Sequence, residues 1–224
     1  MENSNSKTKQ AVARKAYELL ASKFHKDCIL GIGTGSTTNF FIQELIKQKP
    51  DIKAIVSSSV ASTQLLEEAG LEVSELNDVG SPDFYVDGAD EINDRFEMIK
   101  GGGGALTREK IIASASKKFI CICDSTKWVK TLGKFPVAIE VVPMARSYVA
   151  RQMVVKGGTP EYRVGFVSDN GNQIIDVRNL KLKVPYDFEI EINNIPGVIA
   201  NGIFAARKAD YLVIDKNGIP EILE

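Results

Sequence analysis

Histidine is almost missing from this sequence, and cysteine is scarce. Among 224 residues there is one histidine, His25, and three cysteines, Cys28, Cys121 and Cys123. An odd number of cysteines in segments that read as strands argues against a disulfide framework and fits a reducing cytoplasm. Cys121 and Cys123 have C-x-C spacing, but one histidine leaves a zinc site short of ligands. Buried strand thiols behaving as small hydrophobes are the simpler reading. No apolar run approaches the ~20 residues that span a bilayer. The polar opening M-E-N-S-N-S-K-T-K-Q has no apolar signal core, so no secretory leader is expected. Basic and acidic residues nearly balance, 28 against 29, and no basic run stands out. Nothing therefore marks a nucleic-acid footprint. There are no internal repeats, and the one low-complexity tract is the four glycines at 101–104. Neither membrane nor nucleic acid is expected as a partner.

What is present is ordinary globular composition, 44% hydrophobic and 25% charged, in a chain long enough for one large domain or two small ones. Residues 7–24 place Val12, Ala16, Leu19 and Leu20 at helical spacing. A short buried strand at 28–32 then runs into G-T-G-S-T-T, and a helical apolar face follows at 39–47. Strand, glycine-rich turn and helix put free N–H groups and a helix dipole in front of an anion, and Thr34, Ser36 and Thr37 add hydroxyls. The run is neither a P-loop, since the Gly-Lys-Ser/Thr ending is missing, nor a G-x-G-x-x-G dinucleotide turn. A tight turn capped by Ser36 is the bland alternative.

Strands are expected at 53–57, 71–73, 84–86 and 118–123, with helices at 59–69 and 107–116. From 132 the pattern changes to strand 137–142, helix 144–155, strands 161–164 and 173–177, helix 185–194 and strand 198–204. Asp169-Asn170-Gly171-Asn172 reads as the turn between the two middle strands. The order βαββαβ suggests a ferredoxin-like unit, and the strand at 210–214 reads as a return to the first sheet. The expected fold is α/β. A Rossmann-like open-sheet domain (1–131 and 206–224) carries a smaller ferredoxin-like α+β domain (132–205) inserted near the C-terminus and suited to subunit contact.

The chemistry concentrates in D-G-A-D-E-I-N-D-R-F-E-M-I-K-G-G-G-G-A-L-T-R-E-K, residues 87–110. Asp87, Asp90 and Glu91 leave a predicted strand end, Lys100 precedes four glycines, and Thr107, Arg108, Glu109 and Lys110 open a helix. Acid groups, a cation and bare backbone are what proton transfer on an anionic substrate requires. In open α/β sheets ligands bind beyond the strands' carboxyl ends, so the Gly33 and Asp87 loops are expected on one crevice. Alone, Glu109 would read as a solvated first-turn acid. His25 reads as a surface or cap residue, Trp128 as packing, Tyr17 and Phe24 as core or interface. Asp187, Glu189 and Glu191 alternate with apolar residues and read as a solvated face.

These blocks resemble the type A ribose-5-phosphate isomerases. The likeness is carried by G-I-G-T-G-S-T at 31–37, D-G-A-D-E at 87–91, K-G-G-G-G-A-L-T-R-E-K at 100–110, D-S-T-K at 124–127 and L-G-K-F-P-V at 132–137. It implies an aldose-ketose isomerase of the non-oxidative pentose phosphate pathway. Such an enzyme interconverts ribose 5-phosphate and ribulose 5-phosphate through an enediolate, without metal or organic cofactor. Separately, the ferredoxin-like unit with its several apolar strands is expected to join subunits of this cytoplasmic protein into a homodimer or a dimer of dimers. By resemblance Glu109 is the base, and Asp87, Asp90 and Lys100 handle the sugar's hydroxyl and carbonyl oxygens. Thr34, Gly35, Ser36 and Thr37 bind substrate oxygens including phosphate, with Gly88 and Ala89 in the acidic loop. Gly101, Gly102 and Gly103 offer N–H groups to the enediolate, Lys127 is a substrate-binding cation, and Lys9 reaches toward the phosphate. Gly104 is a departure, since relatives commonly carry alanine there, and it is expected to loosen the loop.

Two rivals come from other classes. A coenzyme A transferase of related fold should show a coenzyme signature and a longer or paired chain. A non-catalytic sugar-phosphate sensor should carry a helix-turn-helix, and the ~30 residues before the first strand supply one helix.

Overall fold

The computed structural model describes residues 2–216 and 218–224, with side chains from residue 6 onward. In chain order it begins with α1 (Glu2–Ala21), β1 (Ile29–Ile32), α2 (Ser36–Gln48), β2 (Ala54–Ser57), α3 (Val60–Glu68), α4 (Leu76–Val79) and β3 (Phe84–Asp87). Next come β4 (Glu91–Ile92), β5 (Met98–Ile99), α5 (Leu106–Ala115), β6 (Lys118–Cys123), β7 (Val137–Val141), α6 (Arg146–Val155) and β8 (Thr159–Tyr162). The chain closes with β9 (Gln173–Arg178), α7 (Pro185–Asn193), β10 (Val198–Asn201), β11 (Ile203–Phe204), β12 (Tyr211–Lys216) and β13 (Ile219–Leu223).

Two compact units result. The first comprises residues 1–89, 111–127 and 209–224, the second residues 90–110 and 128–208. The division differs from the expected 132–205 insertion chiefly in taking 90–110 into the second unit. The physical reason is a three-stranded sheet, β11-β5-β4, in which β5 pairs with both β4 and β11.

The first unit is a six-stranded sheet ordered β13-β12-β6-β3-β1-β2. All neighbours are parallel except the edge hairpin of β12 and β13. Its central strands read as unbroken apolar runs because parallel strands are covered on both faces; β1 is buried at every position. Val12, Ala16 and Leu20 of α1 recur every four residues and join Phe41, Ile42 and Leu45 of α2 in one core with β1, β3 and β6. Tyr17 and Phe24 pack against that core. The three cysteines are free and buried, and burial, with Asp83 adding, pushes the Cys28 thiol up to about 11. The expected strand at 71–73 reduces to one bridge between Ile55 and Val73.

The second unit holds an antiparallel sheet ordered β10-β7-β9-β8, with α6 and α7 in the two crossovers. Fourth, first, third, second is the strand order of a ferredoxin-like unit. The expected continuous strand at 198–204 is two strands split at Gly202. Val198–Asn201 pairs with β7, whereas Ile203–Phe204 pairs with β5. Gly202 ties both, its N–H donating to Ala138 O at 2.7 Å and its carbonyl accepting from Lys100 N at 2.9 Å. Among the described residues no helix is long and apolar enough to cross a membrane.

Candidate active site

In the first unit the order of the sheet places β1 between β2 and β3. The chain leaves β1 toward one edge and returns on its other side, so β1 and β3 form a topological switch point, where a crevice opens beyond their carboxyl ends. The register pairs Ile32 with Val86, so Gly33 lies beside Asp87, where any β-carbon would overlap the Asp87 carboxyl. Glycine is required here for space. Asp87 is 0% exposed. Its Oδ1 accepts from Thr34 N at 3.0 Å and Gly88 N at 2.7 Å, and its Oδ2 accepts from the Tyr85 hydroxyl at 2.6 Å. This carboxylate therefore pins the Gly33 turn to its own strand end.

Beyond that turn Gly35, with φ 117, is the cap of α2. Gly35 and Ser36 are exposed, and Thr37 is buried. Lys9 Nζ donates to Ser36 Oγ at 2.9 Å, so a cation stands at the positive end of a thirteen-residue helix. Thr34 Oγ1 and Ser58 Oγ are 2.9 Å apart, and Ser62 Oγ donates to Gly33 O at 2.8 Å. Ser58 and Ser62 carry no sequence signal, since their role depends on which strands become neighbours. Lys127 closes a single 3-10 turn, Ser125–Lys127, and is half-buried. Asp124 accepts from the Thr126 amide at 3.1 Å and from its hydroxyl, while Asp215 accepts from Ser125 N at 2.8 Å. The D-S-T-K turn is thereby fixed at the end of β6.

The second unit gathers Asp90, the glycine loop, Lys100 and Glu109. Asp90 Oδ2 accepts from Gly102 N at 2.8 Å. Of the three amides expected to face an oxyanion, the Gly102 N–H is thus engaged by a carboxylate. Lys100 is 3% exposed and Glu109 is 5% exposed, with Lys100 Nζ 3.2 Å from Glu109 Oε2. The solvated first-turn acid does not survive: helix α5 turns Glu109 inward. Phe204 lies beneath both cations of this stretch, with Lys100 Nζ 5.6 Å and Lys110 Nζ 4.3 Å from its ring centroid. Burial pushes the Lys110 ammonium down, with Glu189 opposing.

Four residues, Glu91, Glu189, Gly104 and Trp128, take places that their sequence reading did not give them. Glu91, counted with the acidic cluster, is buried and accepts from Gly133 N at 2.8 Å and Phe135 N at 2.6 Å. It therefore holds the L-G-K-F-P turn in place. Glu189 is buried, not solvated; its Oε1 pairs with Lys110 and its Oε2 accepts from Ala205 N and Ala206 N, both at 2.8 Å. Strand-like alternation misled, because in α7 Glu189 shares the inner face with Pro185 and Ile192. Gly104 is not slack. Its φ is +80, a conformation that strains alanine, and a β-carbon there would push against the tip of the Phe166 ring. Arg163 braces the same loop, donating to Gly101 O at 3.1 Å while held by Asp176. Trp128 is also more than packing, since its Nε1 donates to Asp94 at 2.6 Å. His25 is exposed, as expected. Among the described residues no group of three or more His, Cys, Asp and Glu side chains is placed to hold a metal.

Residues 54–218 match the family model of ribose 5-phosphate isomerase A (phosphoriboisomerase A). A ribose-5-phosphate isomerase A of Legionella pneumophila (strain Paris) is 56% identical over 200 residues, covering 89% of this chain and 93% of that protein. The crystal structure of ribose 5-phosphate isomerase A from Neisseria gonorrhoeae superposes with a TM-score of 0.93 at 45% identity, covering 98% of this chain and 96% of that one. A D-ribose-5-phosphate isomerase solved in complex with phospho-erythronic acid superposes with a TM-score of 0.89 at 38% identity, covering 97% of each chain.

Proposed function

The chain belongs to the ribose 5-phosphate isomerase A family, and from that membership we propose that it interconverts D-ribose 5-phosphate and D-ribulose 5-phosphate through an enediolate. The single observation that carries the mechanism is the buried Lys100–Glu109 pair. A proton beside a carbonyl is weakly acidic, so its removal needs a positioned base and a stabilised oxyanion. Glu109 takes the proton from C2 of the open-chain aldose and returns it to C1, which leaves the carbonyl at C2. Lys100 supplies the positive charge for the oxygen that becomes anionic. Asp90, held by the Gly102 amide, handles the hydroxyl proton that must pass between the two oxygens.

Asp87 receives a narrower role than the family resemblance implies. Its oxygens already accept from Thr34, Gly88 and Tyr85, so it orders the loop that carries Thr34, Gly35, Ser36 and Thr37. The phosphate is assigned to that loop, with Lys9 and Lys127 as cations. A relative's complex with phospho-erythronic acid supports the substrate class, since that acid joins a phosphate to a planar pair of oxygens resembling an enediolate. The test is conversion of ribose 5-phosphate by EDTA-treated protein. Full turnover supports the reading, and no turnover with or without an added divalent metal sinks it. Binding without turnover would favour the sensor, whose sequence signature, an attached helix-turn-helix, is not among the described elements.

The active form is assigned as a homodimer joined through the second unit, in a reducing cytoplasm that suits three free thiols. Ile199 is exposed on β10, Val142 is exposed just past the end of the neighbouring β7, and Met144 beyond it is 96% exposed, an apolar grouping that a monomer would leave in water. Sedimentation at micromolar concentration is expected to give twice the chain mass; a stable monomer contradicts the assignment.

A further inference from the structure

The side chains of Thr107, Arg108 and Lys110, which flank Glu109 in sequence, are tied to other parts of the second unit. Thr107 Oγ1 donates to Glu140 Oε2. Arg108 donates through Nε to Asn170 Oδ1 and through a terminal nitrogen to Asp169 O, both at 2.9 Å. Lys110 Nζ pairs with Glu189 and donates to Ile203 O at 2.5 Å.

Glu140 is the unexpected member. It is 0% exposed, in the middle of β7, whose sequence Val-Ala-Ile-Glu-Val is otherwise apolar. Its Oε1 accepts from Ser168 Oγ at 2.7 Å, Asn172 Nδ2 at 2.9 Å and Asn170 Nδ2 at 3.2 Å. With Thr107 that makes four donors, all neutral hydroxyls or amides. A buried carboxylate answered only by neutral donors is an expensive way to hold a core together, and an apolar side chain would serve stability as well. Such a network does fix geometry, because each donor has one place to go. Asn170 joins the two halves: its amide nitrogen reaches Glu140, and its oxygen receives Arg108. The turn at 168–172 is itself closed by Ser168 N to Asn172 O at 2.9 Å and Gly171 N to Ser168 O at 2.8 Å.

We propose that Glu140 is a positioning residue for the isomerisation, fixing the first turn of α5 through Thr107 and, by way of Asn170, through Arg108. The Glu109 carboxylate is thereby aimed. The proposal rests on the reading of Glu109 as the base. Proton transfer tolerates little displacement, and a shift near 1 Å can cost about a hundredfold.

The Thr107→Val and Thr107→Ser pair tests it, since valine keeps the shape without the hydroxyl and serine keeps the hydroxyl. Thr107→Val is expected to lower kcat about tenfold or more, with KM changed less than about threefold because the sugar-binding groups are untouched. Thr107→Ser should return kcat to within about twofold of the parent. Thr107→Val combined with Glu140→Gln should be no slower than the slower single variant, as expected for one shared path. An unchanged kcat per folded molecule in Thr107→Val overturns the proposal, whatever its melting temperature, as does a loss confined to KM or a serine variant as slow as valine. If Glu140→Gln does not fold, the two Thr107 variants still decide. Glu109→Gln run alongside separates the two failures: if it keeps its turnover, the base reading falls, whereas an unaffected Thr107→Val removes only the positioning claim.

Discussion

Glu109→Gln should lower kcat by about 100- to 10,000-fold, the range that a positioned general base contributes, while ribose 5-phosphate still binds. The amide preserves the shape of the side chain, so its place 3.2 Å from Lys100 is kept while the charge is removed. What it loses is the basicity needed to take the C2 proton. The loss should therefore fall on kcat and kcat/KM together, the mark of an interaction made in the transition state. Calorimetric titration with the sugar phosphate checks that the variant binds. Activity retained within about tenfold of the parent would remove Glu109 from the role of base.

Lys100→Met should lower kcat/KM by about 100- to 1,000-fold, the cost of removing one preorganised oxyanion partner. Methionine keeps an unbranched apolar stem over Phe204, so packing is largely preserved and the missing element is the charge. In a site only 3% exposed, water cannot stand in for that charge as it would at a surface. Lys100→Arg is expected to rescue little: its planar fork cannot occupy the place of a compact ammonium between a ring and a carboxylate. Steady-state kinetics over a range of ribose 5-phosphate checks both variants. A Lys100→Met enzyme within about fivefold of the parent would mean that the oxyanion is stabilised elsewhere.

Much of this was legible in the sequence, for definite reasons. The apolar runs at 28–32 and 118–123 announce strands buried on both faces, and the glycine-rich turn after β1 follows from the crowding of Gly33 against Asp87. The βαββαβ order of the second unit was readable from periodicity and the Asp169–Asn172 turn. What escaped depended on tertiary neighbours. Strands β4 and β5 are two residues each, too short for any period to show, and they exist only because β11 arrives to pair with β5. Glu91 looks like one of a reactive acid cluster, and Glu189 like a solvent-facing acid, until the amides they accept from are in place. Glu140 left a faint trace, a lone charge in an apolar strand, but its four donors come from two segments far off in sequence. The burial of Glu109 could not be read from a helix start that ordinarily favours solvated acids.

The most direct test of the central claim, that Glu109 carries a proton through an enediolate, is isomerisation in deuterium oxide followed by magnetic resonance of the sugar carbons. A carboxylic acid proton held by Glu109 exchanges with solvent during repeated turnover. The wild-type protein should therefore place deuterium on C1 of ribulose 5-phosphate and C2 of ribose 5-phosphate as the mixture reaches equilibrium, and Glu109→Gln should place none. Chemical equilibrium reached with only protium on those carbons, or the same deuterium incorporation by Glu109→Gln, would contradict the account of Glu109 as an exchanging base.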